Sequence, residues 1–110
     1  FMTCSRWAAA EADKVILVLG DSLSAGYGIA LDQAWPSLLG ERLVREGYPY
    51  RVVNASISGD TTAGGARRIG ALLEAHHPAV VVLALGANDA LRGLKPAEVH
   101  RNLASMLEAC

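Results

Sequence analysis

The sequence predicts an α/β protein in which helices cover both faces of a parallel β-sheet. Three short apolar runs alternate with three amphipathic segments over residues 15–110. Apolar runs of strand length that alternate with helical patterns are typical of βαβ units, and such units form parallel sheets. Each apolar run is also followed by a polar loop that contains glycine. These observations predict the element order β-α-β-α-β-α.

Three segments carry the strand pattern. They are VILVL at residues 15–19, RVVNA at residues 51–55 and AVVVLAL at residues 79–85. The first and third are continuously apolar, which is typical of strands that are buried on both faces of a parallel sheet. Right-handed crossovers place the carboxyl ends of all three strands at the same edge of that sheet.

Apolar residues at helical spacing predict the three helices. Two helices are expected over residues 35–46 and 62–76, and a third is expected to begin at Pro96. Proline suits the first turn of a helix, because its missing N–H has no partner there in any case. Either Asp60 or Thr61 could cap the start of the second helix. Asp60 is interpreted as a helix cap or a loop anchor, and we favour the cap.

Composition bounds the function classes that fit this chain. Its 110 residues suit one domain, and 52% hydrophobic residues suit a packed globular protein. The net charge of −1 gives no basic field that would attract nucleic acid, so we expect no nucleic-acid partner. No apolar run approaches the roughly 18 residues of a membrane span, so we expect no stable membrane insertion.

The first residues of the chain carry no helix or strand pattern. Three alanines at positions 8–10 fit the small-residue pattern of a signal-peptide cleavage site, although no apolar segment precedes them. We therefore expect residues 1–14 to be a disordered leader or the remnant of a signal peptide. A single domain over residues 15–110 is expected to follow it.

The candidate functional residues lie in the three loops that follow the strands. These loops read GDSLS at residues 20–24, SISGD at residues 56–60 and GAND at residues 86–89. In open α/β sheets ligands bind at this edge. Acyl transfer needs a nucleophile at a sharp strand-to-helix turn and N–H donors for the developing oxyanion. Ser22 fits the nucleophile, and the Gly59 N–H and the Asn88 side-chain amide fit the donors.

These three motifs, in this order, resemble the conserved blocks of the GDSL (SGNH) family of serine hydrolases. Longer stretches extend the resemblance toward one bacterial subgroup, the multifunctional thioesterase I, lysophospholipase L1 and arylesterase proteins. They are WPSLL at residues 35–39, VNASISGDT at residues 53–61 and LGANDALRGL at residues 85–94. The resemblance implies an ester or thioester hydrolase that works through an acyl-enzyme on Ser22, with Gly59 and Asn88 in the oxyanion hole.

The resemblance also implies a fold and a setting. The family fold is a three-layer α/β/α, flavodoxin-like arrangement whose five parallel strands follow the order 2-1-3-4-5. This chain would supply three of those strands, which leaves the C-terminal strands missing and the third strand as an exposed apolar edge. Family members need no cofactor or metal and act on small acyl esters and thioesters. We expect a monomer that is periplasmic or secreted, with a cytoplasmic location as the alternative.

One family block has no counterpart here. The catalytic His and its Asp partner belong to a D-x-x-H sequence, which is absent from these 110 residues. His76, His77 and His100 fall on predicted helices and are not expected to serve as the base. Two alternatives therefore stay open. In the first alternative to an ester hydrolase, the chain is a catalytically inactive, truncated fragment of such an enzyme. In the second, it is a flavodoxin-like nucleotide- or flavin-binding module. The second is disfavoured because the first loop lacks a Walker lysine.

Overall fold

A computed structural model describes residues 14–110 of the protein. The first strand begins at Lys14, one residue before the predicted start of the domain. The rest of the predicted leader, residues 1–13, lies outside the described residues. The leader and export therefore stay predictions.

The described residues form three strands and five helices. In chain order the strands are β1 (Lys14–Gly20), β2 (Tyr50–Asn54) and β3 (Val80–Ala84). The helices are α1 (Ser22–Ala25), α2 (Trp35–Arg45), α3 (Thr62–His76), α4 (Ala87–Leu91) and α5 (Pro96–Ala109), with a 3₁₀ turn at Leu31–Gln33. The predicted order is confirmed, and α1 and α4 are short helices inside segments that were predicted as loops.

All three strands pair in parallel, in the spatial order β2-β1-β3. Val18 of the central strand lies between Asn54 of β2 and Val82 of β3. The chain passes from β1 to β2 on one side through α2, and then from β2 back across β1 to β3 through α3. Because the two connections run in opposite directions and both are right-handed, α2 and α3 lie on opposite faces of the sheet. The predicted parallel sheet with helices on both faces is therefore confirmed for residues 14–110.

Burial separates the central strand from its neighbour β3. Leu17, Val18 and Leu19 of β1 are completely buried. In β3 no residue is fully buried, and Val80 is 43% exposed. Within residues 14–110, β3 pairs on one side only, as predicted for the apolar edge.

An apolar core lies between the sheet and the pair α3 and α5. Leu19, Ile69 and Met106 form its buried centre. Gly65 makes close packing possible here, because a Cβ at this position would lie 3.0 Å from the sulfur of Met106 and closer still to Leu85. This packing fixes the position of α3, which carries residues that contact the loops described below.

No helix among residues 14–110 is both long and apolar enough to cross a bilayer.

Candidate active site

Three loops meet at the carboxyl edge of the sheet. We name them the nucleophile turn (residues 20–26), the glycine loop (residues 55–61) and the amide loop (residues 85–93). They leave β1, β2 and β3 respectively. Each contains one of the predicted site residues, namely Ser22, Gly59 or Asn88.

The nucleophile turn is a strand that ends abruptly in one helical turn. The Asp21 carboxylate caps that turn, because it accepts a hydrogen bond of 3.1 Å from the Leu23 N–H. Gly26 ends it in the left-handed region at φ +83°, and its N–H donates to the Ser22 carbonyl at 3.1 Å. Ser22 is the first residue of α1 and is partly exposed. The strand therefore passes sharply into a helix at Ser22, a geometry that exposes the nucleophilic serine in some hydrolases.

Close packing beneath the turn distinguishes Ser24 from Ser22. A Cβ on Gly20 would lie 2.6 Å from the Ser24 hydroxyl oxygen, so glycine is required at that position. The Ser24 hydroxyl is buried and accepts a hydrogen bond of 2.9 Å from the Trp35 indole N–H. Ser24 is therefore occupied with a structural bond, whereas Ser22 stays accessible.

In the glycine loop the backbone turns at Gly59, whose φ is +81°. This left-handed conformation is unfavourable for residues that carry a Cβ. The Gly59 carbonyl accepts a hydrogen bond of 3.0 Å from the Arg92 guanidinium.

The predicted capping role of Asp60 is wrong. Thr61 caps α3, because its hydroxyl accepts from the Gly64 N–H at 3.2 Å. The Asp60 carboxylate instead accepts from the Thr61 N–H at 2.9 Å and forms an ion pair of 2.6 Å with Arg68. The ion pair with Arg68 holds the Asp60 carboxylate, and Gly64 leaves the space for it, because a Cβ there would overlap that carboxylate.

The amide loop places Asn88 against the glycine loop. The Asn88 side-chain amide donates to the Asp60 carbonyl at 2.9 Å, which leaves its second hydrogen available for another acceptor. Asp89 beside it is completely buried and accepts from the Thr62 N–H at 2.9 Å and from the Thr62 hydroxyl at 2.6 Å. The amide loop is thereby attached to the beginning of α3.

Further hydrogen bonds connect the glycine loop to the nucleophile turn. The Ile57 N–H donates to the Gly20 carbonyl at 3.0 Å. The Asn54 amide donates to the Ser24 carbonyl at 2.8 Å, and its oxygen accepts from the Ser56 N–H at 3.1 Å. The structure thus brings the three loops together as one bonded unit. The catalytic roles of the predicted site residues stay predictions.

An open cavity of about 400 Å³ adjoins the nucleophile turn. It is lined by seven residues of the nucleophile turn, α2, the end of β3 and the amide loop: Asp21, Leu23, Ser24, Trp35, Ala84, Leu85 and Ala87. Most of these side chains are apolar, so the cavity suits a hydrocarbon group.

None of the three histidines is bonded to the site. His76 and His77 stand at the C-terminal end of α3, whose N-terminus lies at the site, and His100 is exposed on α5. No side-chain hydrogen bond within residues 14–110 involves a histidine. A base for Ser22 is therefore not supplied by any histidine contact in this part of the chain.

Sequence comparison identifies relatives of this chain. It is 57% identical over 97 residues to the esterase TesA of Pseudomonas aeruginosa, which covers 88% of this chain and 48% of that protein. It is 44% identical over 108 residues to thioesterase 1/protease 1/lysophospholipase L1 of Escherichia coli K12, which covers 98% of this chain and 50% of that protein. The chain thus spans about half the length of the curated relatives it matches.

Structural comparison agrees. A crystal structure of TesA superimposes with a TM-score of 0.85 at 57% identity and covers 86% of this chain and 53% of that chain. Esterase EstA from Pseudoalteromonas sp., in a structure inhibited by monoethylphosphonate, gives a TM-score of 0.83 at 43% identity and covers 87% and 52%. The three-stranded sheet corresponds to part of the fold of these hydrolases. Because residues 18–110 also match the GDSL-like Lipase/Acylhydrolase family, the chain belongs to that family.

Proposed function

We propose that this chain carries the nucleophile and the oxyanion-binding groups of a serine ester hydrolase. The observation that carries the proposal is the bonded unit of three loops at the carboxyl edge of the sheet. It places Ser22 in a sharp strand-to-helix turn, and it attaches the loops of Gly59 and Asn88 beside that turn. Family membership supports the same reaction class.

In the proposed reaction the Ser22 hydroxyl oxygen attacks the carbonyl carbon of an ester, and a base takes its proton. The carbonyl oxygen becomes an oxyanion that accepts hydrogen bonds from the Ser22 and Gly59 N–H groups and from the Asn88 amide. Loss of one such donor costs about 2.7–4 kcal/mol of transition-state stabilisation. The alcohol or thiol then leaves with a proton, and water hydrolyses the acyl-enzyme to release the acid.

We infer that the substrates are small acyl esters and thioesters. The relatives are named esterase and thioesterase 1/protease 1/lysophospholipase L1. The largely apolar cavity against the nucleophile turn supports this assignment, because a hydrocarbon acyl group loses unfavourable contact with water there. The proposed reaction uses no cofactor.

We also propose that the protein is a monomer and that it is exported. Size-exclusion chromatography tests the oligomeric state, and fractionation of the source cells tests export.

The base is the remaining requirement. Because no D-x-x-H sequence occurs in residues 1–110, and the described histidines make no bond to Ser22, we propose that the proton acceptor comes from outside these residues. Imidazole dissolved in the buffer has the acid–base chemistry of a histidine side chain and can act as the proton acceptor. Adding it therefore tests whether Ser22 is a nucleophile in the 110-residue chain.

The experiment measures hydrolysis of p-nitrophenyl acetate by the folded 110-residue chain, with and without imidazole. Its matched variants are Ser22→Ala and Ser58→Ala, the latter an exposed serine in the glycine loop. We expect imidazole-stimulated turnover above the rate of imidazole alone in the natural chain and in Ser58→Ala, but not in Ser22→Ala. Equal turnover in the natural chain and Ser22→Ala would remove Ser22 as the nucleophile. No turnover by the folded natural chain would favour the inactive-fragment alternative.

A further inference from the structure

We propose that Arg68 is a positioning residue for the oxyanion-binding groups, because its guanidinium fixes the glycine loop at both ends. The inference rests on the proposed function, which gives Gly59 and Asn88 their roles. It adds a residue of helix α3 that has no part in the three sequence motifs of the site.

Arg68 bonds to the first and the penultimate residues of the glycine loop. Its Nη1 donates to the Ala55 carbonyl at 2.9 Å, and its Nη2 donates to the Asp60 carboxylate at 2.6 Å. The Arg68 side chain is 27% exposed and that of Asp60 is 11% exposed. The ion pair is therefore shielded from much of the solvent screening that weakens exposed pairs.

The position of Asp60 in turn determines where the two proposed donors lie. Gly59 directly precedes Asp60 and turns the backbone at φ +81°. The Asp60 carbonyl accepts the hydrogen bond of 2.9 Å from the Asn88 amide. A displacement of Asp60 thus moves the Gly59 backbone and also removes the bond that orients Asn88.

Two features indicate that the contacts of Arg68 serve to hold the glycine loop and not to stabilise helix α3. The Arg68 Nε is buried without a hydrogen-bond acceptor among the described residues, so the guanidinium reaches both loop ends at the expense of one of its own donors. Gly64, one turn before Arg68, leaves the space that the Asp60 carboxylate occupies. The planar fork of Arg bonds two separate acceptors at once, which the single ammonium of Lys does less well.

The test compares Arg68→Met and Arg68→Lys with the control Arg67→Met. Arg67 is the adjacent residue on α3, is exposed, and donates no side-chain hydrogen bond within residues 14–110. One readout is the NMR signal of the Gly59 backbone amide and of the Asn88 side-chain amide in each folded chain. The other is kcat and KM for p-nitrophenyl acetate in the presence of imidazole.

In Arg68→Met we expect both NMR signals to shift, while signals of the β1 core, such as the Leu17 amide, stay in place. We expect kcat to fall about 10- to 100-fold with a smaller change in KM, because the donors meet the oxyanion and not the ground-state ester. Arg68→Lys should recover part of kcat, and Arg67→Met should match the natural chain.

Unchanged Gly59 and Asn88 signals in folded Arg68→Met would overturn the proposal, as would equal effects of Arg68→Met and Arg67→Met. If Arg68→Met does not fold, the same two signals in Arg68→Lys decide the matter. If the natural chain hydrolyses no ester, that result favours the inactive-fragment alternative, but the NMR comparison still shows whether Arg68 positions the two donor groups.

Discussion

The nucleophile turn and the glycine loop reach their conformations in different ways. In the nucleophile turn, the hydrogen bonds that form the helical turn itself join residues within five positions of each other, such as Asp21 to Leu23 and Gly26 to Ser22. Two bonds from distant residues, Asn54 and Ile57, attach this turn to the end of β2 and to the glycine loop. The glycine loop has local bonds too, such as that from the Thr61 N–H to Asp60, but it is also bonded by three side chains, those of Arg68, Asn88 and Arg92, which lie 8 to 33 positions further along the chain.

This difference separates the two parts of the proposed chemistry. The helical turn at Ser22 is stabilised mainly by bonds within its own sequence. The position of Gly59 depends in addition on α3 and the amide loop, which contribute Arg68, Asn88 and Arg92. Perturbations distant in sequence should therefore affect oxyanion binding more than they affect the nucleophile.

The largest expected effect comes from the bond between the amide loop and α3. Asp89→Ala removes the acceptor of both the Thr62 N–H and the Thr62 hydroxyl at a completely buried site. Because buried donors are left unpaired, we expect a loss of about 3 kcal/mol in the free energy of unfolding. Urea denaturation followed by circular dichroism measures it.

Asp89→Asn is the matched control, because its amide oxygen keeps one acceptor. Its loss should be clearly smaller than that of Asp89→Ala. Equal losses in the two variants would show that the size of the side chain, and not its hydrogen bonds to Thr62, stabilises the region.

A smaller effect is expected in the nucleophile turn. Asp21→Ala removes the N-cap of α1, and loss of a cap costs about 1 kcal/mol. Because the hydrogen bond that this substitution removes is local, joining Asp21 to Leu23, faster amide hydrogen exchange should be confined to residues 22–26, with the glycine loop unaffected. Asp21→Ser, which preserves a capping oxygen, is the control. Faster exchange in the glycine loop as well would contradict the contrast between the two regions.

The smallest effect is expected at Arg92, which is the exposed partner of the glycine loop. Water competes for a hydrogen bond at the surface, so Arg92→Met should change the free energy of unfolding by about 0.5 kcal/mol or less. Thermal denaturation measures the change. A loss comparable to that in Asp89→Ala would show that Arg92 supports more of the fold than its contact with Gly59 indicates.

The parts of the molecule that sequence reasoning predicted correctly are those with local or periodic signals. Apolar runs and helical spacing located both ends of every strand and of α2 and α3, and the start of α5, to within about one residue. The turn at Ser22 followed from GDS after an apolar strand. The edge position of β3 followed from family resemblance and not from periodicity.

The parts that were missed depend on contacts across the fold. Asp60 and Thr61 are both good capping residues, and the choice between them depends on the ion pair between Asp60 and Arg68. That pair spans eight positions, which is outside the i,i+4 spacing at which side chains of one helix meet. The available signal was Gly64, a glycine inside a helix, which indicates close approach of another group.

The roles proposed for Ser22, Gly59 and Asn88 are tested most directly by a crystal structure of the chain after reaction with a p-nitrophenyl phosphonate in the presence of imidazole. The tetrahedral phosphorus of the product mimics the oxyanion intermediate. If Ser22 is the nucleophile, phosphorus will be covalently bonded to the Ser22 oxygen. If Gly59 and Asn88 bind the oxyanion, a phosphoryl oxygen will lie about 3 Å from the Ser22 nitrogen, the Gly59 nitrogen and the Asn88 Nδ2. A phosphonate on another residue, or a phosphoryl oxygen that points away from Gly59 and Asn88, would contradict these roles.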